Sequence, residues 1–241
     1  MQVLKVTTLG VAMAVMSACS SSGSDTAAPR APQPVVSAPT TTTPTTSSIQ
    51  GNIIKVSEDQ VVVSDINKTA ATTQVNKVVI NGQILDFVPA YFSAGKLNMR
   101  SGNIDRVGGG NLQLSYTRYG YIREGSAGPA VFAQGEVTPI NAVPKTGTAT
   151  YQGSAAHVVP GEVSLVDSSF TVDFAKQQVQ GVIKAPAGDV NLAATINGNA
   201  FSGVHNGMQT QGMFYGSQAQ ELGGVYADTT GLVSGAYGAK R

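Results

Sequence analysis

In "SFTVDF" the apolar Phe170, Val172 and Phe174 alternate with Thr171 and Asp173, and in "DVNLAATI" Val190, Leu192, Ala194 and Ile196 keep the same step of two. That period marks a β-strand with one buried and one wet face. "NKVVING", "QILDFV", "NLQLSYTRYGYIRE" and "PAVFAQGEV" are strand-like as well, whereas "RSGNIDRVGGG" (100–110) reads as a long flexible loop. Turn chemistry recurs at short intervals: "NG" at Asn197, "APAGD" from Ala185, "HNG" from His205 and "DTTG" from Asp228. Short strands joined by such turns predict an all-β protein, a sandwich or barrel with hairpin connections.

The stretch "FYGSQAQELGGVYA" (214–227) tests this reading, because its glycines would also suit a phosphate loop. A phosphate loop needs a Walker lysine, or a strand–glycine–helix unit with a long helix after it, and neither is present. Ser217 as N-cap, Gln220 three residues on and Gly223 as a left-handed C-cap instead predict a single helical turn between two strands.

The front of the chain has a different pattern. A lysine, the apolar run "LGVAMAVM" and small residues up to Ala18 have the layout of a signal peptide, residues 1–18. Met16-Ser17-Ala18-Cys19 resembles the bacterial lipobox, in which cleavage precedes a cysteine that is then acylated. Cys19 is the only cysteine, so no internal disulfide competes for it. Residues 19–48 are rich in Ser, Thr, Pro and Ala, which predicts a disordered tether that could span roughly 30 Å. An outer-membrane lipoprotein anchored through Cys19, in a Gram-negative bacterium, is the expected localisation.

Charge narrows the partners. Fifteen basic and fourteen acidic residues nearly cancel, so there is no field to attract nucleic acid. Chemistry narrows the function: His157 and His205 are the only histidines, neither near a nucleophile elbow, and no zinc-ligand spacing occurs. The expectation is a binding protein rather than an enzyme.

Five stretches then carry a specific resemblance: "GTATYQGSA" (147–155), "FTVDFAKQQVQGVI" (170–183), "ATINGNAFSG" (194–203), "MFYGSQAQELGGVY" (213–226) and the terminal "GAYGAKR" (235–241). In this order they resemble the C-terminal barrel of the transferrin-binding protein B family of surface lipoproteins, which includes factor H-binding protein, the heparin-binding antigen of Neisseria, haemophilin and the haemoglobin-haptoglobin receptor lipoproteins. The resemblance implies a small β-rich handle domain over 49–143, followed by an eight-stranded antiparallel β-barrel over 145–241. It leaves room for one such lobe, where transferrin-binding proteins proper have two. It further implies a host plasma protein, haemoglobin or haem as partner, most simply for iron acquisition. The alternative is an immune-evasion role that recruits a complement regulator such as factor H. An outer-membrane receptor or translocator is a further implied partner.

The candidate partner-binding residues are Tyr119 and Tyr121 with Arg118 and Arg123, since tyrosine and arginine often anchor interfaces. On a strand Tyr119, Tyr121 and Arg123 share one face and Tyr116 and Arg118 the other, and one face must be core. No cofactor is certain. Haem is the possible ligand, and His205, close in sequence to Met208, Met213 and Tyr215, is its candidate iron ligand, with His157 behind it.

Overall fold

A computed structural model describes residues 49–241; Cys19, the signal peptide and the tether lie outside the described residues. The first half forms β1 (Ile49–Lys55), β2 (Asn67–Lys68), β3 (Lys77–Ile80), β4 (Gln83–Asp86), β5 (Lys96–Ser101), β6 (Ile104–Gly109), β7 (Thr117–Glu124) and β8 (Ala130–Glu136). The second half forms β9 (Thr148–Val159), β10 (Glu162–Asp173), β11 (Gln178–Ile183), β12 (Val190–Asn197), β13 (Ala200–His205), β14 (Met208–Tyr215), β15 (Glu221–Asp228) and β16 (Ser234–Lys240).

Strands β9 to β16 close into an eight-stranded antiparallel barrel, in which every neighbour in sequence is a neighbour in space and β16 returns to pair with β9. The turns enforce this topology. Asn206 and Gly207, at φ +49° and +79°, close β13 onto β14, with His205 opposite Met208; two successive positive φ values give the turn whose twist matches a hairpin. The period-2 pattern then selects the faces. Phe170, Val172, Phe174, Val179, Leu192, Ala194, Ile196, Phe201 and Phe214 point inward and form one cluster with Tyr151, Tyr226 and Tyr237. The interior is a packed core of side chains.

The first half is a six-stranded sheet in the order β2-β1-β8-β7-β6-β5, with the β3–β4 hairpin packed on it. Both faces of this sheet are covered. One holds Ile53, Phe87, Leu97, Ile122 and Phe132 together with Val78, Ile80 and Leu85 of the hairpin. The other carries Ile54, Val107, Tyr119, Tyr121 and Val131 onto Ala156, Val158, Val225 and Ala236 of the barrel. The fold is the all-β handle and barrel that the sequence led us to expect.

Two local expectations are corrected. "RSGNIDRVGGG" is the β5–β6 hairpin, turned at Gly102 and Asn103, and not a flexible loop. Its polar residues are spent on pairing: Arg106 meets Glu124 at 2.7 Å and Asp105 meets Arg123 at 2.8 Å across to β7. Residues 216–220 form a turn rather than a helical one, with Gly216 and Ala219 at positive φ. Gln220 Nε2 does donate to Ser217 Oγ (3.1 Å), but its Oε1 accepts from Gln218 N (2.8 Å), so a capping pair closes a turn. Gly223 is buried within β15 and caps nothing.

Candidate partner-binding surface

Two handle loops are built up from the barrel in stages. Glu221, buried on β15, accepts the main-chain N–H of Ser115 (2.6 Å) and of Tyr116 (3.0 Å), which fixes the loop between β6 and β7. Gln113 of the same loop donates to Ser154 Oγ on β9 (2.8 Å), and Tyr119 Oη lies 2.5 Å from that hydroxyl while donating to Gln113 Oε1. This anchored loop holds the one between β4 and β5: Asn111 accepts from Ala94 N (3.0 Å) and donates to Phe92 O (3.2 Å), and Leu112 N donates to Ala94 O (3.0 Å).

The outcome is an apolar apex. Tyr91 is fully exposed, Leu112 is 68% exposed and Phe92 is partly exposed beside them. A Pro89–Phe92 turn, closed by Phe92 N to Pro89 O at 3.1 Å, puts Tyr91 at φ +63°. That left-handed position favours glycine and costs a side chain about 1 kcal/mol or more. Neither burial nor a hydrogen bond offsets the cost, so Tyr91 is held outward at the expense of stability, as is common in functional loops.

The residues expected from sequence are placed differently. Tyr119 and Tyr121 are buried between sheet and barrel, and burial raises the pKa of both phenols. Arg118 is buried on the opposite face, where it donates to Asn76 Oδ1 (2.7 Å) and to the carbonyls of Leu114 and Thr117; desolvation lowers its pKa and the charge of Glu221 partly restores it. Of the four, only Arg123 reaches solvent, and its charge is met by Asp105 (2.8 Å) and Glu58 (3.7 Å). Both faces of β7 are core, because it is a central strand sandwiched between hairpin and barrel.

His205 is exposed at the end of β13, its Nε2 3.3 Å from Asn206 Nδ2, and it borders a cleft lined by Ser169, Thr171, Gln180 and Asn191. Met213 and Tyr215 are buried farther along β14 and do not gather around it. His157 is buried in the barrel, with Nδ1 2.8 Å from Tyr226 Oη, and desolvation lowers its pKa. Sequence reading missed Tyr91, Phe92 and Leu112. The signal was present in "PAYFSAG", two adjacent aromatics between proline and glycine, outside any alternating run.

Residues 143–241, the barrel, match the model of the C-lobe and N-lobe beta barrels of Tf-binding protein B. An uncharacterized protein of Haemophilus influenzae is 35% identical over 80 residues, 31% of this chain and 28% of its own length. Among solved structures, isotype 1 transferrin binding protein B from serogroup B Neisseria meningitidis has a TM-score of 0.60 at 21% identity, over 80% of this chain and 43% of that one. Transferrin binding protein B of Haemophilus parasuis gives 0.58 at 20% identity, over 80% and 45%. HpuA of Kingella denitrificans, solved in complex with human haemoglobin, gives 0.53 at 16% identity, over 82% of this chain and 85% of that one. The likeness to these structures is one of fold. The chain spans less than half the length of the transferrin binding proteins and 28% of the Haemophilus influenzae protein.

Proposed function

We propose that this protein is a surface lipoprotein that captures a host iron-carrying protein, haemoglobin before transferrin. The observation that carries the reading is the fold: the handle and barrel of this chain match 85% of HpuA, the protein solved with human haemoglobin, and the same fold recurs in transferrin binding protein B. The apex of Tyr91, Phe92 and Leu112 is the contact surface in this reading, since exposed aromatics on pre-set loops make strong interface anchors at small entropic cost. Cys19 supplies the lipid anchor in the outer membrane, and a translocator brings the protein to the cell surface.

The test is direct binding of the full chain to purified human haemoglobin, iron-loaded transferrin and factor H. Haemoglobin is expected to bind, and a Tyr91→Ala/Leu112→Ala variant is expected to bind it at least about tenfold more weakly. Factor H binding without either iron carrier would replace this reading with the complement-recruiting one.

A further inference from the structure

We propose that the outer face of β10 to β13 is a binding site for a neutral oligosaccharide. The barrel register sets its side chains in rows. Gln178, Thr195 and Ser202 lie side by side across β11, β12 and β13; Thr171, Gln180 and Ala193 form the next row across β10, β11 and β12; Ser169, Val182 and Asn191 form the third. All point away from the core by the period-2 rule. The face is therefore a grid of amides and hydroxyls, repeating across strands at about 4.8 Å, close to the length of one sugar unit in an extended glycan.

The grid is not flat. Pairing between β12 and β13 stops at Thr195 opposite Ser202, whereas β11–β12 and β13–β14 pair over six positions each. Past that point β13 no longer pairs with β12, and two adjoining clefts of about 330 Å³ and 360 Å³ meet at Gln180 and Ala193. These volumes fall at the small end for ligand sites. Ala193 and Gly203 keep the floor low, and Val204, 66% exposed, offers an apolar wall to the C–H face of a pyranose. Gln178, Gln180, Thr195, Thr171 and Asn191 offer both donors and acceptors to hydroxyl groups.

Charge selects the ligand class. No Lys, Arg, Asp or Glu lines either cleft. The charges at the strand ends are engaged in pairs: Lys176 with Asp173 (3.3 Å), Lys184 with Asp189 (2.6 Å) and Lys96 with Asp167 (3.3 Å). Beyond these pairs, the basic groups at the margin are Lys68, beside Ser202, and His205 at the edge of the second cleft, and neither stands within the rows of amides and hydroxyls. A protein partner would find neither the aromatic nor the arginine anchors that make interfaces strong. Uncharged hydroxyl-rich chains, from animal glycoconjugates or from a bacterial envelope, share the chemistry the face offers.

The experiment is calorimetric titration of the full chain with lacto-N-tetraose for the animal source, maltohexaose for the bacterial type, and a heparin tetrasaccharide as the acidic comparison. At least one neutral probe is expected to bind, the heparin fragment is not, and Gln180→Ala/Asn191→Ala is expected to weaken the neutral probe tenfold or more. The Ile84→Ala substitution on β4, exposed on the handle hairpin away from the barrel, should leave that affinity unchanged, and all variants should melt with the wild type, which separates lost binding from lost fold. The proposal is overturned if neither neutral probe binds, if the heparin fragment binds as well as they do, or if the double variant binds like wild type. Haemoglobin capture by the same double variant should be unaffected, so the outcome is independent of the proposed host-protein function.

Discussion

Glu221 and Tyr116 stand 105 residues apart, yet the Glu221 carboxylate accepts the Tyr116 N–H at 3.0 Å and, through its other oxygen, the Ser115 N–H at 2.6 Å. One buried side chain of the barrel thus fixes the handle loop that supports the exposed apex. Hydrogen bonds to a charged, buried acceptor are stronger than neutral ones. Glu221→Ala should lower stability by about 2–3 kcal/mol, measured by denaturant unfolding, and should expose the 110–116 segment to limited proteolysis before the barrel is cut. Unchanged stability would mean that the handle is held by apolar packing alone.

The close approach of handle to barrel depends on a missing side chain. A Cβ on Gly238 would overlap Tyr119 Cδ1 and lie 2.7 Å from Leu114 Cδ1. Gly238→Ala is expected to cost about 1–3 kcal/mol, the range for overpacking a filled core. Gly95→Ala is the matched comparison, because nothing lies within 4 Å of its added carbon and its φ is ordinary; it should stay within about 0.5 kcal/mol of wild type.

His157 gives the barrel a pH dependence. Burial holds its pKa below the ordinary 6.5, and Glu162 opposes the shift only in part. The unfolded chain therefore takes up a proton at this residue at a higher pH than the folded chain does. Its contribution to stability is complete above pH of about 6.5 and declines as pH falls below it. Thermal unfolding followed from pH 7.5 to 5.5 should show a steeper loss in wild type than in His157→Gln. Equal slopes would assign the acid sensitivity to other groups.

Tyr91 should separate stability from function. Glycine suits φ +63° better than tyrosine, so Tyr91→Gly should leave stability unchanged or raise it by up to about 1 kcal/mol, while haemoglobin binding falls. A variant that loses stability would show that the exposed ring contributes to the fold.

Much of the barrel was legible because its strands obey a rule of two: Phe170, Val172 and Phe174 face inward, and Asn206-Gly207 turns where a hairpin demands it. The handle was less legible. Its central strand β7 is buried on both faces, so "TRYGYIRE" shows no clean alternation, and the burial of Arg118 depends on Asn76, 42 residues away. The glycines of β6 looked like loop residues because the rings that lie over them, Phe87 at Gly108 and Tyr119 at Gly109, belong to other parts of the chain. The apex was missed for the opposite reason. Tyr91 and Phe92 are aromatic and so invite assignment to a core, and only the turn geometry turns them outward.

The most direct measurement is capture from host plasma mixed with red-cell lysate, with the full chain on beads, wild type beside Tyr91→Ala/Leu112→Ala, and bound proteins identified by mass spectrometry. Wild type is expected to enrich haemoglobin, with or without transferrin, and the double variant to lose it while keeping its melting temperature. Enrichment of a complement regulator without either iron carrier, or equal recovery of haemoglobin by both proteins, would rule out haemoglobin capture through this apex.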